Sequence, residues 1–275
     1  MTPWQTGTVE ANGVTLFYTR SGGELPPVLL AHGFSDDGPC WTPIAELLAP
    51  DYDLIMVDAR GHGRSESPRE PFSTSADMAA DLAAVARALD LRRPAVLGHS
   101  MGAVTTLALA AANPDLPSAI LLEDPPPWWA AEQAAQADPS WHEQQRRRLE
   151  GLKALTREQL VTTQREAAPR WAEAELPYWA DAKLRFNLDL RLMRSGPPPS
   201  WPAALGKISC PALLITADPA QGALVNPAQA AELAALVPQL QVRHIADAGH
   251  NIRREQPARY IEIVRGFLAE HISAR

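Results

Sequence analysis

Four short apolar runs, Pro27–Ala31, Leu54–Val57, Ala95–Leu97 and Ser118–Leu122, constrain this chain more than any other feature. Each is too short for a helix and ends in turn residues. None alternates polar with apolar, which is the pattern of strands covered on both faces. Helical spacing fills the gaps, most clearly in Ser75–Asp90, where Met78, Leu82, Val85 and Leu89 share a face behind a Ser75 cap. Strands alternating with helices favour parallel βαβ units, so the expected class is α/β with a doubly wound sheet. A hairpin comes first, roughly Gly7–Glu10 and Val14–Thr19 about an Asn12-Gly13 turn.

After Glu123-Asp124 the alternation stops. Residues 125–201 are rich in Ala, Glu, Gln and Arg, are punctuated by prolines and contain no convincing strand; they read as several helices closed by Gly196-Pro197-Pro198-Pro199. The alternation then resumes with a strand at Ala212–Thr216, a helix at Pro227–Leu236, a strand at Gln241–Ile245 and a last helix from about Asn251 to Ile272. The expected organisation is a core of 1–124 and 202–275, with 125–201 inserted as a helical cap. A chain of 275 residues is long enough to bury a sizeable core.

Bulk properties exclude several classes of partner. A formal charge of −7 argues against nucleic acid and against an anionic membrane. Arg146–Arg148 is the only basic run, and its Glu and Gln neighbours make it read as a solvated helix face. Cys40 and Cys210 have no metal-ligand spacing, so neither a disulfide framework nor a zinc site is expected. The opening MTPWQTGTVEANG has no basic region followed by an apolar run, and no segment approaches a membrane span in length. The expectation is a soluble, cytoplasmic protein, monomer or homodimer.

The chemistry concentrates in AVLGHSMGAV. A buried strand ends at Gly98-His99-Ser100-Met101-Gly102 and an apolar helix follows at once, the setting in which a tight turn exposes a serine hydroxyl at a helix N-terminus. Such a hydroxyl needs a base to take its proton. His250 is the best placed of seven histidines, in a loop between a late strand and the terminal helix. Acyl transfer also needs donors for a developing oxyanion, usually two backbone amides. Met101 follows the serine directly, and in His32-Gly33-Phe34 the glycine lets the Phe34 amide turn inward.

Together the elbow, the His32-Gly33-Phe34 loop, DARGHGRS at Asp58–Ser65 and the late Ala248-Gly249-His250 resemble the α/β-hydrolase superfamily. The resemblance covers essentially the whole chain outside 125–201. It implies a mostly parallel eight-stranded sheet with a helical cap after strand six, and a Ser100–His250 pair oriented by a carboxylate. In many members that acid stands three residues before a valine in the loop after strand seven, but here Gly222 takes that place before Val225. Haloalkane dehalogenases and zearalenone lactonases put the acid after strand six instead, the position Asp124 holds here. The candidates are therefore Asp124, with Asp218 as the alternative and Glu123 behind them. Glu123 should face away from its neighbour if strand geometry persists.

The resemblance implies a serine hydrolase acting on a small-molecule ester or lactone, with no cofactor and no metal. The alternatives are C–C or amide hydrolysis by the same triad, or a ligand receptor of the same fold that does not turn over. Of eight tryptophans, six fall in or beside the insertion. An apolar ring that keeps one donor suits a wall over an apolar ligand, though packing explains most of them. Trp128 and Trp129 are the pair expected nearest the substrate, with His32, Gly33 and Trp41 as further candidates.

Overall fold

The apolar runs of the sequence become the centre of a twisted sheet. The computed structural model describes residues 4–69, 72–130, 140–189, 191–192 and 201–272. In chain order its elements begin with β1 (Gln5–Ala11), β2 (Val14–Arg20), β3 (Pro27–Ala31), α1 (Thr42–Leu48), β4 (Asp53–Val57) and β5 (Phe72–Ser73). Then come α2 (Ser75–Ala88), β6 (Ala95–His99), α3 (Met101–Ala112) and β7 (Ala119–Glu123). The inserted stretch supplies α4 (Trp141–Lys153), α5 (Arg157–Ala167), α6 (Leu176–Arg185) and β8 (Arg191–Leu192). The chain closes with α7 (Trp201–Leu205), β9 (Ala212–Thr216), α8 (Pro227–Leu236), β10 (Leu240–His244), α9 (Ile252–Glu255) and α10 (Pro257–His271).

Eight strands form one open sheet in the order β1-β2-β4-β3-β6-β7-β9-β10. The pairings from β4 to β10 are parallel, while β1–β2 and β2–β4 are antiparallel. The first hairpin turns at Asn12 and Gly13, with φ of 47° and 77°, the left-handed pair that a two-residue hairpin matched to strand twist requires. Alternation along β3 divides the core. Leu29 and Ala31 pack with α2 and α3 on one face, while Val28 and Leu30 pack with α1 and α10 on the other. Because both faces are covered, every residue of β4, β6, β7 and β9 is buried.

Two sequence expectations change. The helix expected from Asn251 to Ile272 is two helices, because Pro257 cannot donate to the turn before it and pushes Gln256 out of helical geometry, to φ −132° and ψ 55°. The insertion does contain a strand: β8 pairs in parallel with β5 in a separate two-stranded sheet. The Gly196–Pro199 breaker lies outside the described residues. Both cysteines are free and buried. No helix among the described residues is long and apolar enough to cross a membrane.

Candidate active site

The site forms where β3, β6 and β7 end on the same edge of the sheet. Ser100 sits between β6 and α3 at φ 53° and ψ −115°, a backbone state that costs energy for any residue with a Cβ. The turn closes only because its flanking glycines lack side chains. A Cβ on Gly98 would collide with the Gly102 carbonyl, and one on Gly102 with the Ala31 carbonyl. Met101 is the first residue of α3, so its amide is among those that have no partner inside the helix. Phe34 and Met101 both line a cavity of about 500 Å³ that also holds Ser100 and His250.

Asp124 follows β7 directly, in a left-handed conformation (φ 40°) that Asp tolerates better than most residues. Its buried carboxylate accepts the Leu224 amide at 2.8 Å, the Val225 amide at 3.0 Å and His250 Nδ1 at 2.6 Å. The histidine therefore carries its proton on Nδ1, which leaves Nε2 as the basic atom. From the other side, His99 Nε2 donates to the His250 carbonyl at 3.0 Å, with the two rings 4.8 Å apart. Burial, then the nearby Arg253 and His250, pushes His99 well below the usual imidazole range, so it stays neutral.

The other two acids lie elsewhere. Asp218 is half-exposed and paired with His244 Nε2 at 2.9 Å, while also accepting the Asp247 amide. Those hydrogen bonds, the Asp247 amide first, hold its carboxyl below the ordinary value. Glu123 faces away from Asp124 and binds the Arg253 amide and guanidinium at 3.0 and 3.1 Å. The geometry thus brings Asp124, and neither of the others, to His250.

Several residues expected at the substrate stand behind it instead. Trp41 is fully buried under the Arg253 guanidinium, 4.3 Å from its ring, and does not reach the cavity. Trp129 turns into the core, its indole donating to the Gln229 carbonyl at 2.8 Å, so of the pair only Trp128 lines the cavity. His32 is buried and accepts the Ala59 amide at Nε2, which pins its loop to the turn after β4. Gly33 is where the His99 ring passes: a Cβ there would come within 2.7 Å of His99 Nδ1.

The inserted helices roof the cavity with Trp141 from α4 and Trp179 from α6, and with Trp171 between α5 and α6. Sequence reasoning missed the charges beneath them. Asp36, in the loop that carries Phe34, binds Lys183 of α6 at 2.8 Å and Arg254 of α9 at 2.8 Å. Arg254 also reaches Glu175, and Arg253 reaches Glu123. These three acids and three bases are all buried. Burial alone would raise the Asp36 carboxyl, but Arg254, Lys183 and Arg253 together hold it well below the carboxylate range. No local pattern marks these residues, because their partners lie 147 and 218 positions away in the chain.

A model of the alpha/beta hydrolase family matches residues 28–263. The chain belongs to the alpha/beta hydrolase family. This alpha/beta hydrolase is similar to N-formylmaleamate deformylase of Pseudomonas putida, with 29% identity over 249 residues that cover 90% of each chain. Among solved structures it is similar to an N-formylmaleamic acid deformylase from Pseudomonas putida, with a TM-score of 0.74 and 26% identity, covering 94% of this chain and 100% of that one. It is also similar to a thermophilic esterase from Thermogutta terrifontis with malate bound, with a TM-score of 0.69 and 25% identity, covering 98% of this chain and 100% of the other.

Proposed function

We propose that this chain hydrolyses a carboxylic ester or lactone through an acyl-enzyme on Ser100. The observation that carries the reading is the 2.6 Å contact between Asp124 and His250 Nδ1, beside a strained Ser100 in a shared cavity. Ser100 Oγ attacks the carbonyl carbon and His250 Nε2 takes its proton. The Met101 and Phe34 amides receive the negative oxygen, and His250 returns the proton to the leaving group. Water then repeats the sequence on the acyl-enzyme. Asp124 holds the tautomer throughout, itself fixed by two backbone amides.

A second reading, hydrolysis of an N-acyl bond, is favoured by the chain-long likeness to N-formylmaleamate deformylase. It uses the same atoms and differs only in the nitrogen that must be protonated as it leaves. Ser100→Ala tests both. The variant should fold as wild type and lose on the order of 10⁴–10⁶ in kcat on p-nitrophenyl esters and N-formyl amides alike. Retention of a tenth of the activity would remove Ser100 from the mechanism. A single slow turnover by the wild-type protein, with no steady state, would make it a receptor instead.

A further inference from the structure

The basic run Arg146–Arg148 divides on folding. Arg146 pairs with Glu150 and Arg147 with Glu143, each one turn away along the outside of α4. Arg148 shares the inward face of α4 with Trp141 and Gln145, at spacings of three and four residues, and all three line the cavity. Among the described residues Arg148 has no carboxylate partner. Gln164 of α5 lines the same space and is half-buried, as is Gln145.

The other cations of the wall are already matched. Lys183 and Arg254 belong to the buried set with Arg253, Asp36, Glu123 and Glu175, which sums to zero charge. Asp124 faces His250. Among the described residues Arg148 is therefore the unbalanced charge over a cavity whose wall includes Phe34, Trp128, Trp141, Trp171 and Trp179. Arg148 is itself exposed where it lines the cavity, so its charge is within reach of an entering anion although solvent screens it in part.

We propose that Arg148, with the side-chain amides of Gln145 and Gln164, receives a carboxylate that the substrate carries away from the bond being cut. The guanidinium supplies a planar fork of donors matched to a carboxylate, and each glutamine adds an N–H. The position follows from the packing of α4. Trp141 rests 5.2 Å from the Phe34 ring, and Leu149 shares a buried cluster with Met101, so the helix that carries Arg148 packs beside the two residues assigned to the oxyanion. The preferred substrates are then anionic acyl compounds rather than neutral esters. This rests on the hydrolase reading above.

The test compares p-nitrophenyl valerate with two charged analogues. Mono-p-nitrophenyl glutarate carries the carboxylate on the acyl side, and 3-carboxy-4-nitrophenyl valerate carries it on the leaving group. Wild type should favour at least one charged ester over the neutral one in kcat/KM. Arg148→Gln should cut that preference by about tenfold through KM, the size of one charge-assisted hydrogen bond. Arg148→Lys should keep part of it, and Arg147→Gln all of it. An unchanged preference in Arg148→Gln overturns the proposal. Calorimetric binding of glutarate to the Ser100→Ala protein separates this from the hydrolase reading. Binding that weakens about tenfold with Arg148→Gln supports the carboxylate site even if no ester is cleaved. Absence of binding, or binding indifferent to Arg148, overturns it even if neutral esters turn over.

Discussion

At the scale of single residues, Asp124 stands out for the number of demands it meets at once. It continues the ladder by donating its amide to Ile215, adopts φ 40°, accepts two amides from the loop after β9 and still presents an oxygen to His250. Asparagine would keep the shape and offer the wrong hydrogen-bonding face to the imidazole. Asp124→Asn should therefore cost on the order of 10⁴ in kcat, while Asp218→Asn, which loses an exposed pair with His244, should stay within a few-fold. Steady-state rates on one ester check both variants, and the reverse outcome would place the acid at Asp218. Ser100 and His250 were legible because chain order and turn glycines single them out, whereas Asp124 was reached only through family resemblance, with Asp218 and Glu123 still open beside it. Asp36, Lys183 and Arg254 were not legible. Their partners lie 147 and 218 positions apart, and no local pattern announces a pairing at that range.

Among the elements, α6 is tied to the loop after β3 by a buried ammonium, Lys183, and by the Arg185–Asp37 pair. Lys183 donates to the Ser35 carbonyl at 2.7 Å and to Asp36, both in the loop that carries Phe34. Replacing it by Met removes one partner of a buried pair, which typically costs about 3–5 kcal/mol. Lys183→Met should lower stability to urea by that order and slow ester hydrolysis by loosening the loop. Loss of stability without loss of rate would show that the loop holds its own shape. The elements that pattern failed to reveal had physical reasons to stay hidden. The two-residue strands β5 and β8 are too short for any periodicity to register, and α9 shares its apolar spacing with α10 although Pro257 divides them.

For the whole molecule, the open question is how acid affects it. Burial, helped by the adjacent His32, pushes His62 down to about 3, and burial pushes His99 down as well. Both are neutral in the folded protein where an unfolded histidine, near its ordinary 6.5, would already be charged. The unfolded chain thus binds more protons between about pH 6.5 and 3, and stability falls as pH drops through that window. Each such histidine contributes a slope of about 1.4 kcal/mol per pH unit. His62→Asn, whose amide can keep the bond to the Arg60 carbonyl, should remove roughly that much slope from denaturation measured between pH 6.5 and 4.5. An unaltered slope would mean that His62 is charged in the folded state. Sheet order was foreseeable only through family resemblance, since the apolar runs fix that there are strands but carry no record of which neighbour each one takes.

The loop after β9 holds an acid that it does not itself carry. Gly222 has φ 97° and open space around it, so a side chain would fit but the backbone would resist it. Two residues on, the same loop grips Asp124 with consecutive amides. An acid placed at Gly222 would meet that backbone strain, while Asp124 cannot leave without stranding two amides. The amides of this loop and the carboxylate they hold are thus fixed together, and neither can change alone without leaving buried polar groups unpaired.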